Sequence, residues 1–213
     1  LGMAGVAYRE IEQVEINLSN GNDQFYIAST HTGSTIIAGG SETAVGDGMN
    51  DVFNINAISG ATTIDGEAGN DRFQVNYDSS GNQTNLAGVQ GALVLRGQAD
   101  SDYYIVGLAG AGSALISIED EAPDGDDGVD RLQVRGTTEA DLFLFRANPE
   151  ENYGMVATYE LDDSLSPVLN GFVERVNYDS AIEKVTVYGR DGDDSFVFDD
   201  TFSPVTVYGD DGD

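Results

Sequence analysis

The chain has 213 residues, with 9 Lys plus Arg against 38 Asp plus Glu and no Cys, for a formal charge of −29. A deficit of this size repels phosphate backbones and anionic headgroups, which argues against nucleic acid and membrane surfaces and points to cations as partners. Disulfides, thiolate metal ligands and Cys nucleophiles are absent, and no apolar run approaches the roughly 18 residues of a membrane span.

Gly makes up 27 residues, nearly twice the usual share of roughly 7%, and the glycines are positioned by a repeat. In chain order, the alternating run 11–16 reads as a strand, then Gly21 and Asp23 lead into Phe25 and Ile27. The same unit returns with Asp51 before Phe53 and Ile55, Asp71 before Phe73 and Val75, and Asp102 before Tyr104 and Val106. It continues with Asp130 before Leu132 and Val134, Asp141 before Phe143 and Phe145, and Asp194 before Phe196 and Phe198. Apolar residues two and four places after each Asp predict a short strand with one buried face.

Five places before the Asp stands Gly46, Gly66, Gly97, Gly125, Gly136 or Gly189, with Leu18 in the first copy. Two places before it, Gly recurs at Gly21, Gly69, Gly128 and Gly192, where a positive φ is easiest without a Cβ. The unit is strand, Gly-rich acidic turn, strand. Successive aspartates are 28, 20, 31, 28, 11 and 53 residues apart. Polar clusters at 41–48, 78–91, 120–128 and 147–154 are expected to be inserted loops, and the 53-residue interval is expected to hold two coils with one acidic turn missing.

A longer repeat overlies the short one. Residues 11–16 with Gly21 and Asp23 match residues 182–187 with Gly192 and Asp194 at an offset of 171, and Tyr8 and Gly39 match Tyr178 and Gly209 at 170. Residues 176–213 thus repeat 6–40, and the whole of 1–213 is expected to be one continuous segment of a longer tandem array with a super-repeat of about 170 residues.

Short strands, Gly-rich turns and no helical periodicity predict an all-β fold, a parallel β-solenoid of the β-helix or β-roll kind, with its acidic turns stacked along one edge. Coils one strand spacing apart, about 4.8 Å, would bring these aspartates together, where like charges destabilise the fold unless cations lie between them. Carboxylates and carbonyls are hard oxygen ligands that suit Ca²⁺.

The runs Gly66-Glu67-Ala68-Gly69-Asn70-Asp71-Arg72-Phe73 and Gly189-Arg190-Asp191-Gly192-Asp193-Asp194-Ser195-Phe196 resemble the hemolysin-type calcium-binding repeats of RTX proteins. That resemblance implies Ca²⁺ held between coils. The ligand set it implies is Asp71 and Asp194 first, then Asp23, Asp51, Asp102 and Asp130, with Gly66, Gly69, Gly189, Gly192 and Asp191 in the turns. The larger template is similar to repeats in very large bacterial surface and secreted proteins. The expected function is a calcium-stabilised structural or adhesive segment of an extracellular bacterial surface, adhesin or matrix protein, with identical chains or polysaccharide as further partners, and not an enzyme.

The rival readings are a parallel β-helix lyase or epimerase acting on acidic polysaccharide, or a polysaccharide-binding module. The nine basic residues form no recurring set, and His31 has no second His beside it. Turn aspartates also stabilise turns locally without any ion.

Overall fold

The computed structural model describes residues 10–40, 50–84, 87–109, 112–120, 128–159, 164, 166–167 and 173–211. The predicted loop 41–48, the glycines Gly46 and Gly125, and Tyr8 lie outside the described residues. The fold is all-β, with sixteen strands numbered in chain order and no helix among the described residues.

The strands form two sheets. The nine-stranded sheet runs β1 (Gln13–Asn17), β3 (Ser34–Ala38), β5 (Thr62–Ala68), β7 (Ala92–Ala99), β9 (Leu115–Ile118), β13 (Val173–Asp179), β12 (Tyr153–Tyr159), β11 (Leu142–Asn148), β15 (Ser195–Phe198). The seven-stranded sheet runs β16 (Val205–Tyr208), β14 (Ile182–Tyr188), β10 (Asp130–Arg135), β8 (Tyr103–Gly107), β6 (Arg72–Val75), β4 (Val52–Ile55), β2 (Gln24–Ile27). From β1 to β11 the chain passes alternately from one sheet to the other, and each strand from β1 to β10 pairs in parallel with a strand two places away.

Alternation sets the core. Except at Phe198, which is exposed on β15, the residues two and four after each turn Asp face inward, so Phe53, Ile55, Phe73, Val75, Tyr104 and Val106 are fully buried in one cluster with Ile64, Leu93 and Leu95 from the opposite sheet. Parallel register places equivalent aromatic rings on top of one another. Phe53 stacks on Phe73 at 5.2 Å and Phe73 on Tyr104 at 5.0 Å, while Phe143 stacks on Phe196 at 5.2 Å. Such pairs contribute about 0.5–1.5 kcal/mol each beyond their burial.

Two features differ from the sequence expectation. The interval between Asp141 and Asp194 does not hold two parallel coils: β11 pairs antiparallel with β12, and β12 antiparallel with β13. The polar cluster at 147–154 is the tight end of that hairpin, because Asn148 already pairs with Tyr153. A two-way meander inside one sheet keeps the alternating apolar face inward, so periodicity alone cannot distinguish it from a coil.

The acidic turns also do not share one edge. Asp23, Asp51, Asp71, Asp102 and Asp130 all lead into strands of the seven-stranded sheet. Asp141 and Asp194 lead into β11 and β15 of the other sheet, past the far ends of β10 and β14. The 11-residue spacing from Asp130 to Asp141 leaves room for a single strand, so the second motif falls at the opposite margin. The super-repeat is offset between sheets as a result: β1 and β2 match β14 and β15 in sequence, yet occupy opposite sheets.

Candidate functional site

Each turn Asp ends a Gly-rich turn and begins the first rung of a parallel ladder, where its carbonyl accepts the amide that follows the Asp of the next repeat. Val52 N donates to Asp23 O, Arg72 N to Asp51 O, Tyr103 N to Asp71 O and Arg131 N to Asp102 O, all at 2.9–3.0 Å. The side chains add a second column. Asp23 N donates to Asp51 Oδ1 at 2.8 Å, Asp51 N to Asp71 Oδ1 at 2.8 Å, Asp71 N to Asp102 Oδ1 at 2.6 Å, and Asp102 N to Asp130 Oδ1 at 2.7 Å. The column ends on Glu183, whose Oε2 takes the Asp130 amide at 2.7 Å beside a register shift between β10 and β14. At the other margin Asp141 N donates to Asp194 Oδ1 at 2.9 Å.

A neighbouring column runs the opposite way, and the motif reading missed it. Asn50 N donates to Asn22 Oδ1, Asn70 N to Asn50 Oδ1, Ser101 N to Asn70 Oδ1 and Val129 N to Ser101 Oγ, at 2.8–3.3 Å. Its signal was the Asn immediately before Asp23, Asp51 and Asp71.

The glycine five places before the Asp is required by approach rather than by φ. A Cβ on Gly66 would stand 2.1 Å from Asp71 Oδ2, on Gly97 1.9 Å from Asp102 Oδ2, and on Gly189 1.8 Å from Asp194 Oδ2. The residue two places before the Asp does carry a positive φ, at Gly69 (+126°) and Gly192 (+112°), and at Asp100 (+75°) where no glycine is present. Where Gly46 was expected to serve Asp51, Gly39 makes the approach: its Cβ would lie 2.5 Å from Asp51 Oδ2.

The predicted aspartate ligands other than Asp191 therefore face inward. Asp51, Asp71, Asp102 and Asp130 are buried, Asp23 and Asp194 are half-buried, and Asp191 is exposed, its backbone bridged to Asp211. One oxygen of each ladder carboxylate is committed to a backbone amide. The other, Oδ2, has no partner in Asp71, Asp102 and Asp194. Desolvation raises all three carboxyls above the usual range, to about 7 for Asp71 and about 10 for Asp102, with neighbouring acids adding to the effect. Asp141 is pushed up to about 6, again mainly by burial.

The ladder brings one unpredicted acid into the row. Asp120, placed by sequence at the start of an inserted loop, is fully buried, and its Oδ1 accepts from Tyr104 Oη at 2.6 Å and from the amides of Gly97 and Gln98 at 2.9 Å. Burial raises its carboxyl as well. Asp102, Asp120 and Asp130 each offer an oxygen within 4.8 Å of the others, the one group of three potential metal ligands among the described residues.

These donors fit a hard cation in part. An ion lying outside the corner, between successive turns, would find the aspartate oxygens turned away from it, whereas the inward Oδ2 atoms suit either a proton or a cation. Compared with protein-family models, curated proteins and solved structures, the chain matches none.

Proposed function

We propose that the chain is a segment of a parallel β-solenoid whose role is structural: a stiff spacer within a large extracellular bacterial surface, adhesin or matrix protein, stabilised by Ca²⁺. The observation that supports this reading is the unbroken carboxylate-to-amide column from Asp23 through Asp51, Asp71, Asp102 and Asp130 to Glu183. The same bond repeats at every level, which is the signature of a stacking device; an active site is a single exception in such a stack. Charge-assisted bonds of this kind contribute about 1.5–3 kcal/mol each. They lie beside aromatic stacks in the same register, so each coil is fixed to the next both by packing and by directed bonds.

Calcium enters as the counter-charge. Buried carboxylates with a free oxygen are costly as bare anions, and millimolar Ca²⁺ is the regime of weak extracellular modules. The basic residues do not gather against an acidic substrate: Arg96 pairs with Asp65 and Glu119, and Arg146 with Asp199. The test is single-molecule pulling in Ca²⁺ and in chelator. A spacer unfolds in steps at high force, and at higher force with Ca²⁺; smooth extension without steps would overturn the structural reading. Release of unsaturated sugars from alginate or pectate would favour the lyase instead.

A further inference from the structure

The seven aspartates that define the sequence motif do not include the most deeply buried acid of the row. Two residues beyond the paired Leu95 and Ile118, the register of β5, β7 and β9 aligns Gly66, Gly97 and Asp120 in one column. At the first two levels the missing Cβ is what admits the Oδ2 of Asp71 and of Asp102. At the third level a carboxylate stands where the others have hydrogen. We propose that Asp102, Asp120 and Asp130 form one buried Ca²⁺ site inside the corner of the fold, and that Asp120, by replacing the column glycine, creates it.

The geometry has three parts. Asp120 Oδ1 is saturated by Tyr104 Oη and the Gly97 and Gln98 amides, so Oδ2 is the oxygen left over; no N–H or hydroxyl donor reaches it although the residue is 0% exposed, and the Asp130 carboxyl stands within hydrogen-bonding reach of Asp120. Asp102 Oδ2, on a residue 2% exposed, is equally without partner. Asp71 is a separate observation, because it does not belong to the trio. Its Oδ2 is also unpartnered on a 2% exposed residue, lies against Gly66 one level away in the same column, and its charge acts on Asp102. A column of inward oxygens without donors thus converges on the level of Asp120. Arg96, on the same strand as Gly97, is engaged with Asp65 and Glu119.

Size and chemistry select the ion. Two ligands of one ion can be no further apart than twice the metal–oxygen distance, about 4.6–5.2 Å for Ca²⁺, and the trio's oxygens lie within 4.8 Å of one another. All donors are oxygen, the hard set that Ca²⁺ prefers. Capping the Gly97 and Gln98 amides does not by itself call for a third negative charge, since an Asn side chain accepts the same bonds.

This inference rests on the calcium clause of the proposed function, and its test separates the two. Chelator-stripped protein is titrated with Ca²⁺ by calorimetry, and with Tb³⁺ using emission sensitised by tyrosine, for the parent, Asp120→Asn, Asp120→Gly and the exposed hairpin control Glu151→Gln. Asp120→Gly restores the residue found at the neighbouring levels, so it carries the test even if Asp120→Asn fails to fold. The expected result is one fewer Ca²⁺ bound, or affinity at that site weakened by at least about tenfold, in both Asp120 variants, with their Tb³⁺ emission lost and Glu151→Gln unchanged. Equal stoichiometry and affinity in all four proteins would overturn the Asp120 site while leaving calcium binding elsewhere intact. No Ca²⁺ bound by the parent at about 10 mM, well above the extracellular range, would overturn both calcium statements and leave the spacer reading to the pulling experiment.

Discussion

The amide of Asp51 lies 2.8 Å from Oδ1 of Asp71, a residue 20 positions away that occupies the same place in the next repeat. The turn carboxylate is therefore an acceptor for backbone before it is anything else. An acceptor role and a cation-ligand role make opposite demands on an isosteric change. Asp71→Asn keeps an oxygen for the Asp51 amide and removes a buried charge, whereas Asp71→Ala leaves that amide unsatisfied. In chelator, Asp71→Asn is expected to match or exceed the parent in stability, and Asp71→Ala to lose about 1–3 kcal/mol. Denaturant melts of the three proteins check this, and equal losses for both variants would contradict the ladder.

Close approach at the column glycine gives a second expectation. Gly66→Ala places a Cβ 2.1 Å from Asp71 Oδ2 and should destabilise by about 1–3 kcal/mol. Because the clash is with the Asp71 side chain, the double variant Gly66→Ala/Asp71→Ala should lose less than the sum of its parts. Gly209→Ala, with nothing within 4 Å of its Cβ, serves as the control near zero. A strictly additive double variant would mean that the glycine is needed for some other reason.

The second margin supplies a pH test away from the proposed ion. Asp141, held between the Thr137 amide and Asp194, titrates at about 6 in the fold against 3.8 normally, chiefly through burial. A raised folded pKa means that the stabilising contribution of the protonated form is complete below about 4 and is lost as pH rises through about 6. The parent should therefore lose stability relative to Asp141→Asn across that window, in chelator, and the gap should be flat above about 7. Thermal melts of both proteins between pH 4 and 8 measure it, and a pH-independent gap would show that burial does not perturb this carboxyl.

Stacked rings give a fourth expectation. Tyr104 packs on Phe73 with ring centroids 5.0 Å apart and also donates its hydroxyl to Asp120. Tyr104→Phe keeps the stack and removes only the hydroxyl, which donates to Asp120 and accepts the Gly97 amide, so it should lose about 1–2 kcal/mol. Tyr104→Ala should lose about 3–5 kcal/mol through the cavity as well. Comparable losses from the two would place the whole contribution in the hydroxyl.

Much of this arrangement was legible in the residues. The strands after Asp23, Asp51, Asp71, Asp102, Asp130, Asp141 and Asp194 lie where period-two alternation put them, and the buried rings at the second position stack as the repeat implied. Those features are local: alternation fixes which face of a strand is apolar, and glycine spacing fixes where the chain turns. Tertiary structure decided what lies beside what. The aspartates joined by the ladder stand 20 to 53 residues apart with insertions of different length between them, and the alternation of a strand is the same whether its neighbour runs parallel or antiparallel. Hence the β11–β13 meander, the division of the acidic turns between two margins and the inward aim of their carboxylates were not fixed by the motif. Asp120 is the sharpest case: in sequence it is a polar residue opening a loop, and only the register of β7 and β9 places it in a column of glycines, buried among acids.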